Sequence, residues 1–299
     1  MKIPPAGFVA LLLATLIPAC DRPEEQDQVA VPAIALDSAP DEYFEPDSGV
    51  RLRFRQAGTG APVVLLHGFA SSLDAFGPFA DSLTSGNRII ALDLRGHGRS
   101  AVPTDVDAYG HEMGEDVVRF LDHLDIRRAH LVGHSMGAVV SAYLATRHPD
   151  RVATVSLIAP PFFANSATAA TALAPVVAEL EGGGGFRAFI DRFIPEMPDS
   201  VAIGMSRDMV SSFDRAMLIG VMRTFPELGV GREGVSTATV PATIIVGTVD
   251  TLRVEDRALA SWWPEARFVE VPGADHVDVL RHPATLAAVR GQLESPQRR

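Results

Sequence analysis

Residues 133–137 read Gly-His-Ser-Met-Gly, between an apolar run at 129–132 and a helix-like run at 138–147. That order predicts a strand, a very tight turn and a helix, with Ser135 at the apex. So sharp a turn strains the backbone and brings strand and helix close together. Glycine on both flanks removes the side chains that would collide there. The serine hydroxyl then stands clear of the chain at a helix N-terminus, whose free amides favour developing negative charge. For such a serine to act, the rest of the chain must supply a base within hydrogen-bond reach and a carboxylate to orient that base.

With 299 residues, 47% of them hydrophobic and 21% charged, the chain fits one medium globular domain with appendages. A formal net charge of −11 argues against a nucleic-acid partner, because phosphate binding requires clustered Lys and Arg. The first appendage is a targeting segment. Met1-Lys2 gives a basic start and 8–17 is an apolar stretch too short to span a bilayer comfortably. It closes on Leu16-Ile17-Pro18-Ala19-Cys20, which resembles the lipobox of bacterial lipoproteins and implies a signal peptide at 1–19 and lipidation at Cys20. The alternative is an ordinary signal peptide whose cleavage site adjoins a cysteine. Cys20 is the only cysteine of the chain, so no intrachain disulfide explains it. The expected result is an exported protein held on a membrane by its lipid. Residues 20–42 mix Asp and Glu with Pro23, Pro32 and Pro40 and read as a tether that cannot fold alone.

The folded body is expected from Tyr43. Residues 50–55 alternate apolar and basic, which predicts a half-exposed strand, and 62–66 is a continuous apolar run suited to a buried strand. The latter ends in His67-Gly68-Phe69. A further strand is expected at 88–92, followed by Asp93-Leu94-Arg95-Gly96-His97-Gly98-Arg99-Ser100. That loop lacks the Gly-x-Gly-x-x-Gly pattern of a dinucleotide site. His111-Glu112-Met113-Gly114-Glu115 has Glu115 where a zinc-protease helix would need histidine. His123, His130 and His148 read as surface or packing residues, and 114–124 as a covering helix.

After the serine turn come a strand at 152–158 and then a long helical stretch, 161–239, with helix signal at 167–180 and 186–193. A further single helix is expected to carry Met209, Phe213, Met217, Val221 and Phe225, each four apart and so on one face. Met209, Phe213 and Met217 are candidate pocket residues, a flexible apolar wall for an acyl or alkyl group; the same stripe could serve only to pack this segment onto the body. Two more buried-strand runs, 243–246 and 267–271, end in Gly247-Thr248-Val249-Asp250 and in Pro272-Gly273-Ala274-Asp275-His276. Residues 283–293 read as a closing helix.

Taken together, Gly-x-Ser-x-Gly after a strand, His-Gly after an earlier strand and the order Ser135, Asp250, His276 resemble the α/β-hydrolases. The likeness runs from about residue 50 to 293. It implies an α/β fold: a mostly parallel, twisted sheet with helices on both faces, a core at 43–160 and 240–299, and a helical cap at 161–239 inserted before the acid-bearing strand. It implies a catalytic triad of Ser135, His276 and Asp250, each just beyond a strand, where open α/β sheets bind ligands. Asp275 and Asp278 are rival carboxylates, poorly placed as sequence neighbours of His276. The resemblance also assigns the oxyanion hole to the amides of Phe69 and Met136 and makes 93–100 a structural turn; His67 reads as a histidine that braces its loop through hydrogen bonds.

The expected chemistry is hydrolysis of a small-molecule carboxylic ester or lactone through an acyl-enzyme, with no cofactor and no metal. Epoxide hydrolases and haloalkane dehalogenases carry aspartate where Ser135 stands. Carbon–carbon bond hydrolases resemble Gly-Asn-Ser-Met-Gly, with asparagine at the place of His134. A cofactor-free haloperoxidase or perhydrolase on the same triad and a non-catalytic, membrane-tethered binding protein are the other readings.

Overall fold

The computed structural model describes residues 35–294 except 48, 196 and 265. The expected signal segment, Cys20 and most of the expected tether lie outside the described residues.

The sheet begins with β1 (Glu42–Asp47), β2 (Val50–Ala57) and β3 (Ala61–Leu66). A short helix, α1 (Gly77–Asp81), leads to β4 (Asn87–Leu92), and α2 (Glu112–His123) leads to β5 (Ala129–His134). Then come α3 (Met136–Arg147) and β6 (Val152–Ile158). Five helices follow without a strand: α4 (Ser166–Glu181), α5 (Arg187–Phe193), α6 (Asp199–Ser212), α7 (Arg215–Leu228) and α8 (Gly231–Ser236). The chain closes with β7 (Ala242–Gly247), α9 (Arg253–Trp262), β8 (Ala266–Val271) and α10 (Pro283–Leu293).

The eight strands form one sheet in the order β1-β2-β4-β3-β5-β6-β7-β8. β1 pairs antiparallel with β2 and β2 with β4, and every later pairing is parallel. The parallel strands are apolar on both faces because helices cover both: β6 and β7 are buried along their whole length, as are Val63 to Leu66 of β3. The strand order reverses at β3, which sits between β4 and β5 with Leu66 beside Gly133. Both strands therefore end at the same place, and the residues that follow, 67–69 and 134–136, are neighbours. Register brings β7 and β8 to a common end in the same way, Gly247 opposite Val271. Among the described residues no helix is long and apolar enough to cross a membrane.

Three expectations need correction. The body begins before Tyr43: Leu36 is fully buried, its amide donates to Asp81 Oδ1 at 2.7 Å, and Asp41 binds Arg53, Arg55 and Arg99. Asp41 is thus a counter-charge of a basic strand. The same fact overturns the simple alternation of 50–55, since Arg53 is fully buried on ion pairs to Asp41, Asp74 and Asp93. Finally, the single helix expected across 209–225 is two. Phe213 is extended (φ −126°, ψ 151°), and the Asp214 carboxylate caps α7 by accepting from the Met217 amide at 2.9 Å. Aspartate favours such a cap over a helix interior, and a four-residue spacing carried across the break conceals it.

Candidate active site

Ser135 occupies the one-residue turn between β5 and α3 with φ at +50°, a strained conformation for a residue with a side chain, at a cost of roughly 1–3 kcal/mol. The turn is held from below, where the Ser135 amide donates to the Ile158 carbonyl at 2.8 Å. The flanking glycines are sterically required. A Cβ at Gly133 would overlap the Gly137 carbonyl, and one at Gly137 would overlap the carbonyls of Leu66 and His67.

At this apex Ser135 Oγ lies 3.0 Å from His276 Nε2. His276 follows β8, and its Nδ1 lies 3.0 Å from Oδ2 of Asp250, which follows β7. The second Asp250 oxygen accepts from the Leu252 amide at 2.9 Å, fixing the carboxylate's rotation. All three side chains are buried. Asp275 is engaged elsewhere: its Oδ1 accepts from the amides of Val277 and Asp278 at 2.8 and 2.7 Å, closing its own turn. Residues 141 and 26 positions apart along the chain are thereby brought into one hydrogen-bonded line.

Phe69 and Met136, which follow β3 and β5, line a cavity together with Ser135. Met136 is the first residue of α3, so its N–H has no intrahelical acceptor. Among the described residues neither amide has a hydrogen-bond partner. His67 braces this turn: its Nδ1 is 2.7 Å from the Gly68 carbonyl, and its Nε2 accepts from the Leu94 amide at 3.1 Å. Burial pulls its pKa down to about 4, which keeps the ring neutral and fits that pair of bonds. The loop 93–100 is structural as well. Asp93 accepts from the amides of Leu73 and Arg99 at 2.6 and 2.9 Å, and Arg95 holds Asp116 through two bonds of 2.6 Å. Among the described residues no group of three or more His, Cys, Asp or Glu is placed to hold a metal.

The expected pocket residues part company. Met209 lines a cavity of about 240 Å³ that also contains Ser135 and His276. Phe213 lines a surface hollow beside α6, and its ring centroid is 6.4 Å from that of His97. Met217 is fully buried against Gly96 and lines neither cavity at the serine. Unforeseen were Phe163, Leu173, Phe189, Phe193 and Met222, which wall the space beside Met136 with Phe225. The recoverable signal was Phe189 and Phe193, one helical turn apart on α5 with ring centroids 4.5 Å apart.

A sequence model of the family described as the alpha/beta hydrolase fold matches residues 61–182, from β3 to the end of α4. The enol-lactonase of Burkholderia xenovorans LB400 superposes over 84% of this chain and 99% of its own, with a TM-score of 0.70 and 25% identity. This chain has the α/β-hydrolase fold. The chain is also similar to an acetoin-cleaving-system dihydrolipoyllysine-residue acetyltransferase component of Cupriavidus necator, 37% identical over 176 residues, which are 55% of this chain and 47% of the relative. Epoxide hydrolase A of Mycobacterium tuberculosis is 40% identical over 127 residues, 41% of this chain and 39% of the relative. The chain thus matches less than half the length of these curated relatives.

Proposed function

We propose that this α/β-hydrolase cleaves a carboxylic ester or lactone by acyl transfer through Ser135. The observation that carries the reading is the unbroken line from Ser135 Oγ through His276 to Asp250, with 3.0 Å at each step. A serine hydroxyl is a poor nucleophile at neutral pH until a base removes its proton. His276 takes that proton at Nε2 as Oγ attacks the carbonyl carbon, and Asp250 stabilises the imidazolium at Nδ1. The amides of Phe69 and Met136, which have no other partner among the described residues, stabilise the oxyanion. His276 then returns its proton to the leaving oxygen. Water, deprotonated by the same ring, releases the acyl group and frees Ser135. The serine apex favours this chemistry over the alkyl-enzyme route of epoxide hydrolases, whose place for the nucleophile is taken by aspartate.

The test is labelling by a fluorophosphonate, read by peptide mass spectrometry, on the protein and on Ser135→Ala. Label on Ser135 that is absent from the variant supports the reading. A folded protein that takes no label overturns it. For residues 1–20, our proposal is export and lipidation at Cys20; incorporation of labelled fatty acid in cells, abolished by Cys20→Ser, is the expected result.

A further inference from the structure

Ser135 stands where two cavities of very different size meet, and Phe69 and Phe189 border both. The larger, about 240 Å³, contains His276 and opens past Val277 and Arg281, both exposed. The smaller lies on the side of Met136 and offers only about 10 Å³. Its walls are buried side chains, among them Phe163, Leu173, Phe193 and Phe225. They belong to separate elements: Leu173 to α4, Phe193 to α5, Phe225 to α7 and Phe163 to the segment after β6. Enlarging the space would mean unpacking several elements at once.

The chemistry decides which part of an ester enters which cavity; this step rests on the acyl-transfer reading above. The tetrahedral carbon formed on Ser135 Oγ carries three other groups. Its oxyanion faces the amides of Phe69 and Met136. Its leaving oxygen must lie against His276 Nε2, the atom that returns the proton, and His276 lines only the larger cavity. The alcohol therefore occupies the larger space. The remaining substituent, the acyl chain, is left the smaller one, whose volume holds a group about the size of one water molecule. A methyl group matches that size.

We propose that the open-chain substrates of this enzyme are short-acyl esters, acetyl in class, of a bulkier and largely apolar alcohol. Apolar lining by Met209, Ile194 and Leu280 suits such an alcohol. A lactone, whose acyl chain is tied back to its own leaving oxygen, would lie on the His276 side and is not constrained by the small cavity.

Hexyl acetate and ethyl hexanoate test this directly, because they are isomers with the acyl and alcohol parts exchanged. The full chain is expected to cleave hexyl acetate with kcat/KM at least about 100-fold higher, since each excess methylene refused by a pocket is worth about tenfold or more. Equal rates, or a preference for ethyl hexanoate, overturn the proposal. So does turnover of neither isomer by protein that a fluorophosphonate labels at Ser135. Absence of that label instead overturns the acyl-transfer reading beneath it. Leu173→Ala and Phe225→Ala, made singly, each enlarge the small cavity and should raise the ethyl hexanoate to hexyl acetate ratio about tenfold or more. An unchanged ratio in folded protein of either variant overturns the assignment of the acyl chain to that cavity.

Discussion

The ring of His134 is bonded to the backbone of His276: its Nε2 lies 2.9 Å from the His276 carbonyl oxygen. The residue before the nucleophile thereby holds the loop that carries the base. Burial, reinforced by the neighbouring His276, depresses the His134 pKa to about 4, so the ring is neutral and its Nε2–H is the donor. His134→Ala would leave the carbonyl without that donor, at a cost of roughly 1–3 kcal/mol in stability. It would also free the His276 loop, and kcat should fall about 10- to 100-fold with a smaller change in KM. His134→Gln, which restores a donor, should recover part of the loss. Ester kinetics beside thermal unfolding of the two variants is the check.

Three buried histidines, His67, His97 and His130, and the half-buried His134 resist protonation. Burial, the largest cause in each, lowers His67, His130 and His134 to about 4 and His97 to about 3, from an ordinary 6.5. The unfolded chain binds a proton at each below about pH 6.5, whereas the folded chain does not until near pH 4. Their stabilising effect is complete above pH 6.5 and is lost as the pH falls towards 4. Each contributes a slope of up to about 1.4 kcal/mol per pH unit. The melting temperature should therefore drop steeply from pH 6.5 to 4.5. His130 bonds Thr154 at the far end of β5 from Ser135, and His130→Gln should flatten the profile by about one proton. Calorimetry across that range would expose a flat wild-type profile, the contrary result.

The elbow was legible because its information is local: strand, turn and helix follow within nineteen residues, 129–147, and the two glycines meet a steric demand visible in the structure. Asp250 and His276 were legible because each follows a strand and parallel strands end together, although β8, at the sheet edge with Arg267 and Glu270, is half-exposed and not the buried run expected at 267–271. What stayed hidden depends on distant pairing. Alternation places Arg53 on a face but says nothing of Asp93, 40 positions away, which lets that face be buried. The acyl-side walls come from four elements with no shared periodicity, and the Met/Phe stripe straddles two helices, so spacing alone pointed to Met217 and passed over Phe163.

Arg53 predicts a large stability loss of its own. Its guanidinium reaches Asp41 at 2.8 Å, Asp93 at 3.1 Å and Asp74 at 3.3 Å, with Arg53 and Asp93 both out of solvent. Arg53→Met retains the apolar stem but leaves Asp93 charged and buried, supported only by the amides of Leu73 and Arg99. Removing one partner of such a pair costs about 3–5 kcal/mol. Asp74→Asn, at the exposed end of the same network, should cost under about 1 kcal/mol. Denaturant unfolding of both variants tests the contrast, and comparable losses would refute it.

Asp256 should behave in the opposite sense. Its side chain is fully buried on α9, and among the described residues neither carboxyl oxygen has a hydrogen-bond partner. Burial first, then the negative charges of Asp250 and Glu255, push its pKa well above the ordinary carboxylate value. The folded chain keeps this proton at pH values where the unfolded chain has released it, so stability declines as pH rises from about 4. Asp256→Asn keeps the shape and removes the titration. The variant should match the wild type in melting temperature near pH 4 and exceed it by a widening margin towards pH 8. A difference that stays constant across that range would mean that Asp256 titrates alike in the folded and unfolded chains, and that burial and Asp250 do not govern it.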